Sequence, residues 1–253
     1  MTNTIILKDN TLVNIIDLLK DLLEECIISF TKESININTI DKSMTSFIDI
    51  KVVDVYEKCT LKKDTVINLR LEDLHKVLAS KDKNEKIQIT FKQDTIEVKF
   101  INNENEGYGK YKIKLLQVEN FDEIPDIDVE PNTQLVMASK YFTSLCRKIK
   151  KFDESLLIEC NEDDNEVLIK SGTEDSVELK IVEEQGKLNK LTIEEDVKIM
   201  VLLKFIMAFT KGDKFSEQVI LNIQDECSAL ELIYQFEDSY IKFYTSPQDL
   251  DDD

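Results

Sequence analysis

ENFDEIPDIDVEPN, residues 119–132, carries two of the chain's three prolines and six carboxylates (Glu119, Asp122, Glu123, Asp126, Asp128 and Glu130) with no basic residue. Proline offers no backbone donor to a ladder, and a run of like charges resists burial. The composition therefore predicts a linker crossing a surface rather than a strand or a helix. It lies near the middle of a 253-residue chain, which is long enough for two domains of about 120 residues each.

The two sides of this linker follow one order. Before it, a strand at 4–8 leads into a helix predicted over 11–26, with Leu12, Ile15, Ile16, Leu19, Leu22, Leu23 and Cys26 on one face. Alternating segments follow at 34–39 and 46–53, then a helix at 71–80 and strands at 86–92, 95–101 and 110–117. After it, a strand at 133–138 precedes a helix at 140–151, and alternation returns at 155–160, 166–171 and 176–182. A helix predicted over 198–210 is followed by strands at 218–224, 229–236 and 240–244. Each half is a strand-rich sheet with two helices, which predicts a duplicated α+β domain; one large irregular sandwich is the competing architecture. The boundaries expected are 1–118 for the first domain, 119–132 for the connector, 133–247 for the second domain and 248–253 for an acidic tail.

The formal net charge is -19, which argues against wholesale adhesion to nucleic acid or an anionic membrane, so any polyanion must be met locally. The opening residues MTNTIILKDN lack a basic region followed by a long apolar run, and the apolar stretch IMVLLKFIMAF is interrupted by Lys204. Neither secretion nor a membrane span is expected. Five widely spaced cysteines within apolar patterns suit reduced, mostly buried thiols rather than a disulfide framework.

Against that acidic background the segment KYFTSLCRKIKK, residues 140–151, has five basic side chains and no acidic one. In helical register Phe142, Leu145, Cys146, Ile149 and Phe152 share one face, while Lys140, Ser144, Arg147, Lys148 and Lys151 lie opposite. A solvated helix face explains such a stripe equally well in isolation, but the stripe recurs. Lys76 and Lys81 mark the second helix, Lys204 and Lys211 flank Ala208 on the fourth, and the first offers only Lys20 among acidic neighbours.

These features coincide with a family resemblance. The helix LLKDLLEE, the turn INTIDKSMTSFIDI with Asp41 and Ser43, FTSLCRKI at 142–149, FTKGDKFSEQVIL at 209–221, and the ending YIKFYTSP with its acidic tail resemble the proliferating cell nuclear antigen (PCNA) family in order and spacing. The likeness spans nearly the whole chain. It implies the DNA clamp fold, an α+β architecture with two topologically similar domains per subunit and six per trimeric ring, helices lining a central hole and sheets forming the outer shell. The function it implies is that of a sliding clamp, which encircles duplex DNA without sequence preference and tethers a polymerase and other replication or repair proteins.

A ring holds DNA by topology, so weak phosphate contacts are sufficient. By the resemblance, Lys20, Lys76, Arg147, Lys204 and Lys211 match basic positions of the family's inner surface, with Lys148 and Lys151 as additions on the same helix. Val13 and Asn14 stand where the family usually has lysines. The resemblance also implies a pocket for the clamp-binding motif of partner proteins at Ile40, Phe47, Ile124, Pro125, Tyr244, Ser246 and Pro247, with Phe121 as a further wall and Thr245 available for strand pairing. Without the family, Ile40, Phe47 and Tyr244 read as ordinary core and strand residues. Thr45 replaces an apolar pocket residue and predicts a more polar groove. The family's ubiquitin-accepting lysine falls at Glu162. A clamp loader ATPase is an implied partner, and the divergence suggests a protist or large DNA virus source, hence a nucleus or a cytoplasmic viral replication factory.

At the edge strands the resemblance pairs head to tail, Lys110, Lys112 and Lys114 face a second edge with Glu178 and Lys180 and the acidic Glu174, Asp175 and Glu183. Opposite charges there fit a homotrimer; a heterotrimeric checkpoint-type clamp or a monomeric polymerase accessory factor is the alternative. Catalysis has little to stand on. The single histidine, His75, lacks a nucleophile or metal-ligand spacing, the five glycines form no phosphate loop, and Gly107-Tyr108-Gly109 reads as a hairpin turn. No metal and no cofactor is expected.

Overall fold

The computed structural model describes residues 3–102, 109–118, 131–172, 177–181, 187–223 and 229–248. The chain divides into two compact units, Met1–Thr39 with Asp49–Ile124, and Ile40–Ile48 with Pro125–Asp253. Phe121, Ile124, Pro125 and most of the acidic linker lie outside the described residues, as do Glu174, Asp175, Glu183 and residues 249–253 of the tail.

In the first unit β1 (Thr4–Leu7) leads to α1 (Thr11–Leu19), then β2 (Glu25–Phe30), β3 (Ser34–Ile40), β4 (Ser46–Val53), β5 (Tyr56–Cys59) and β6 (Thr65–Arg70). Next come α2 (Leu71–Ala79), β7 (Lys86–Phe91), β8 (Thr95–Ile101) and β9 (Tyr111–Lys114). Five strands lie in the order β5-β1-β7-β8-β9, all antiparallel, and β4-β3-β2-β6 are neighbours in that order. The division between the units falls inside β4. The core takes Leu12, Ile15, Ile16, Leu18 and Leu19 from α1 and Leu71, Leu74 and Leu78 from α2. Phe30 and Phe91 add a tilted ring pair at 5.0 Å.

The second unit repeats the plan. Its elements are β10 (Thr133–Ala138), α3 (Ser139–Ile149), β11 (Ser155–Asn161), β12 (Glu166–Ser171), β13 (Glu178–Ile181), β14 (Leu188–Ile193) and β15 (Val197–Leu202). They continue with α4 (Leu203–Phe209), a 3-10 turn over Thr210–Lys214, β16 (Gln218–Ile223), β17 (Leu230–Phe236) and β18 (Ser239–Thr245). Strands run in the orders β14-β10-β16-β17-β18 and β13-β12-β11-β15, again antiparallel. Phe142, Leu145, Cys146 and Ile149 of α3 and Leu203, Phe205, Ile206 and Phe209 of α4 are buried, and Phe209 stacks on Phe243 with ring centroids 4.0 Å apart.

Three sequence expectations fail for identifiable reasons. The helix expected to reach Cys26 ends at Leu19, where Leu22 and Leu23 both donate to the Leu19 carbonyl. Cys26, Ile28 and Phe30 then bury on alternate positions of a strand paired to Leu69, Ile67 and Thr65. The helix expected from Lys198 begins only at Leu203, because Val197, Ile199 and Val201 alternate inward with exposed Lys198 and pair with β11. A continuous apolar run cannot distinguish a strand that flows into a helix from one long helix. Phe152, expected on the buried face of the third helix, is 59% exposed. The helix stops at Ile149, whose carbonyl accepts from both Phe152 and Asp153, and the Asp153 carboxylate then accepts from the Ser155 amide as β11 starts. The strands β2, β5, β6 and β14 were not expected at all.

Candidate DNA-facing helices and partner pocket

Basic residues of the second unit stand on the exposed faces of its helices. In α3, Lys140, Ser144, Arg147 and Lys148 are exposed opposite the buried apolar row, and Lys151 continues the line just past the helix end. Lys150 is turned away and pairs with Glu154. Lys204 is exposed on α4 with its ammonium 4.5 Å from the Phe205 ring centroid, and Lys211 is half-buried in the 3-10 turn. Arg147, Lys148, Lys151 and Lys204 make no ion pair among the described residues.

The first unit differs. Lys20, at the C-cap of α1, lies 3.2 Å from Asp17, and Lys76 on α2 pairs with Glu72 at 2.5 Å one turn away. His75 also approaches Asp17, at 3.7 Å. The half-buried Val13 and Asn14 add no charge. The basic groups of α1 and α2 are thus largely neutralised by their own helices, a distinction that only carboxylate positions i-3 and i-4 announce in the sequence.

The expected pocket residues of the second unit assemble around two rings. Phe47 and Tyr244 are buried and stack with centroids 5.4 Å apart and planes inclined by 29°. Ile40 remains exposed, Thr245 is buried, and Ser246 donates its amide to the Thr45 carbonyl at 3.0 Å. Pro247 follows half-buried, and Gln248, at the start of the expected tail, donates to the Met200 carbonyl and receives the Ser155 hydroxyl.

The loop between β3 and β4 is built on Asp41. Its carboxylate accepts the amides of Ser43, Thr45 and Ser46 at 2.9, 2.7 and 2.5 Å, together with the Ser43 hydroxyl. Burial opposes ionisation of Asp41, but the hydrogen bonds from Ser43, Ser46 and Thr45 outweigh it and hold the carboxyl below its usual range. The Thr45 hydroxyl is engaged within the loop, donating to Ser43, and the loop lifts Met44 into solvent in a left-handed conformation, φ 56°.

The two sheet edges carry the remaining candidates. Strand β9 pairs with β8 at one edge, and β13 pairs with β12 at one edge of its own ladder. Lys110 bonds Glu97 at 2.7 Å, and with Lys92 it holds that carboxyl well below the usual range. Glu178 pairs with Lys170 at 3.2 Å and Lys180 with Glu166. Lys112 and Lys114 are exposed. Glu162 is exposed in the turn after β11, its amide bound to Asp196. A cleft of about 400 Å³ lined by Glu159, Asp164, Glu166, Asp196 and Lys198 opens on this ladder, away from the helices, and Lys170 and Lys198 offset Glu159.

Family models for the proliferating cell nuclear antigen N-terminal and C-terminal domains match residues 1–123 and 123–249. The chain belongs to the PCNA family. It is 26% identical over 258 residues to proliferating cell nuclear antigen 2 of Drosophila melanogaster, with 100% of this chain and 98% of that protein covered. It is 23% identical over 237 residues to a probable DNA polymerase sliding clamp 2 of Paramecium bursaria Chlorella virus 1, covering 92% and 85%. The PCNA crystal structure from Entamoeba histolytica superposes with a TM-score of 0.83 at 20% identity, covering 98% of this chain and 100% of that one. The PCNA fold, α+β with two domains and large antiparallel sheets, is thereby shown, and with it the function of a DNA sliding clamp and polymerase processivity factor. PCNA family members are clamps and not enzymes, and their partners are DNA and DNA polymerase.

Proposed function

We propose that three copies of this chain close head to tail through β9 and β13, and that the ring slides on duplex DNA held mainly by the second unit. The observation that carries this reading is the set of cations on the exposed faces of α3 and α4 that lack a carboxylate partner among the described residues. Arg147, Lys148, Lys151 and Lys204 are free to exchange counterions for phosphates, with Lys211 beside them, whereas Lys20 and Lys76 must first give up Asp17 and Glu72. Contacts of this type position a duplex without reading its sequence. Strands at sheet edges offer unpaired backbone groups to a second copy, and Lys112 and Lys114 supply charge for the acidic edge.

Polymerase and other partners carrying a clamp-binding motif dock at Ile40, Phe47 and Tyr244, with Thr245, Ser246 and Pro247 alongside; the family resemblance adds Phe121, Ile124 and Pro125, which lie outside the described residues. A clamp loader ATPase opens the ring. Such a protein works in a nucleus or, for a viral clamp, in a cytoplasmic replication factory. Polymerase processivity on primed DNA, measured across a salt titration, tests the reading. Arg147→Glu with Lys151→Glu is expected to lower processivity most at low salt, the gap to wild type narrowing as salt rises because the variant releases fewer counterions, and wild-type stimulation by that variant overturns the DNA assignment.

A further inference from the structure

One polar row crosses the second unit on the sheet face opposite its core. Leu221, Leu232 and Phe243 are cross-strand partners buried in the core, so their neighbours Asn222, Glu231 and Tyr244 point to the other face. There Lys190 donates to the Gln134 amide oxygen at 3.0 Å, the Gln134 amide nitrogen to Asn222 at 3.0 Å, and the Asn222 amide nitrogen to Glu231 Oε2 at 2.6 Å. Every link runs the same way, from an ammonium at β14 to a carboxylate on β17. Glu231 is directly opposite Tyr244, the aromatic wall of the partner pocket.

Glu231 is only 6% exposed, and Asn222 is its sole hydrogen-bond partner among the described residues. One amide is a poor match for a carboxylate with two oxygens and about four acceptor sites. Its second oxygen keeps contact with solvent and is open to a further donor from a ligand, a cationic donor above all. The lysine one row away does not serve: Lys242 is opposite Ile233 and holds its ammonium over the Tyr240 ring at 5.2 Å.

We propose that Glu231 is the polar anchor of the partner pocket and takes a lysine or arginine side chain from the bound partner segment, on Oε1. The proposal rests on the reading of Phe47 and Tyr244 as the docking site and adds to it the chemistry of the guest. Asn222, Gln134 and Lys190 act as positioning residues that fix the carboxylate beside the aromatic wall. A site built to bind a donor discriminates strongly against an isostere lacking it.

The test uses the full-length protein and peptides with the family's aromatic and aliphatic anchors. Lysine is placed at each flanking position in turn, and each peptide is compared with one carrying norleucine there. At one position lysine is expected to bind about tenfold or more tighter than norleucine. Glu231→Gln, which keeps the Asn222 bond, is expected to reduce that preference to about twofold, while Tyr244→Ala weakens both peptides alike. The norleucine comparison on unaltered protein stands even where a variant fails to fold. Equal affinities for lysine and norleucine at every position, with Tyr244→Ala still weakening binding, overturn the role of Glu231 and leave the pocket intact. Affinities untouched by Tyr244→Ala overturn the pocket and, with it, the anchor.

Discussion

A methyl group placed on Gly212 would overlap the edge of the Tyr234 ring, far inside van der Waals separation. Tyr234 is fully buried and Gly212 lies in the 3-10 turn that follows α4, so neither has room to retreat. The turn that carries Lys211 is therefore seated directly on an aromatic side chain. Gly212→Ala is expected to destabilise by about 1–3 kcal/mol, as for overpacking elsewhere. Thermal denaturation reads this as a drop of several degrees, and an unchanged midpoint would show that the turn yields freely.

Tyr244→Ala removes one ring of the Phe47 pair and the wall beside Glu231. A peptide with the family's clamp-binding motif is expected to lose about 1–3 kcal/mol of affinity in calorimetry. Trimer formation should be unaffected, since Tyr244 lies on neither edge strand.

The two units should contribute unequally to DNA binding. Because Lys20 and Lys76 are paired within their own helices, replacing both by alanine is expected to change the dependence of log K on log salt only slightly. Replacing Arg147 and Lys151 should make that slope shallower by about 0.9 for each phosphate they neutralise. Equal effects from the two pairs would contradict the asymmetry.

Asp41 gives a pH dependence of definite sign. Its folded-state value lies below the unfolded one, so the stabilisation is complete above the ordinary aspartate value of about 3.9 and is lost as pH falls through the folded value. Motif-peptide binding should therefore hold between about pH 5 and 7 and fail in acid. Asp41→Asn is expected to weaken it by about 1–3 kcal/mol even at neutral pH, and an Asn variant with wild-type affinity would detach the loop from the pocket.

Charge reversal at Lys112 and Lys114 tests the ring. Both are exposed on β9, whereas Lys110, Glu178 and Lys180 already have partners within the chain. Native mass spectrometry of Lys112→Glu with Lys114→Glu should shift from trimer toward monomer. A monomeric wild-type protein at micromolar concentration would refute self-assembly.

Much of this was legible because periodicity and charge act locally. The row Phe142, Leu145, Cys146 and Ile149 announced α3, and Arg147, Lys148 and Lys151 announced its opposite face. What stayed hidden depended on partners distant in sequence. Strands β5 and β14 bury few apolar side chains, and pairing rather than alternation makes them strands, while β6 alternates only over Ile67 and Leu69. Phe152 looked buried until the cap at Ile149 rotated it out. Glu231 was one acidic residue in the strand LELIYQF, and only register set it beside Asn222 and Tyr244.

The Asp41 loop also bears on time. A segment ordered by its own carboxylate is in place before any partner arrives, so docking requires little rearrangement of the clamp and encounter rates for different partners should be similar. Differences among them then reside in how long each remains. Where several partners share the proposed pocket, a loop ordered in advance between Asp41 and Ser46 leaves departure rather than arrival to set the order in which they act on a stretch of DNA.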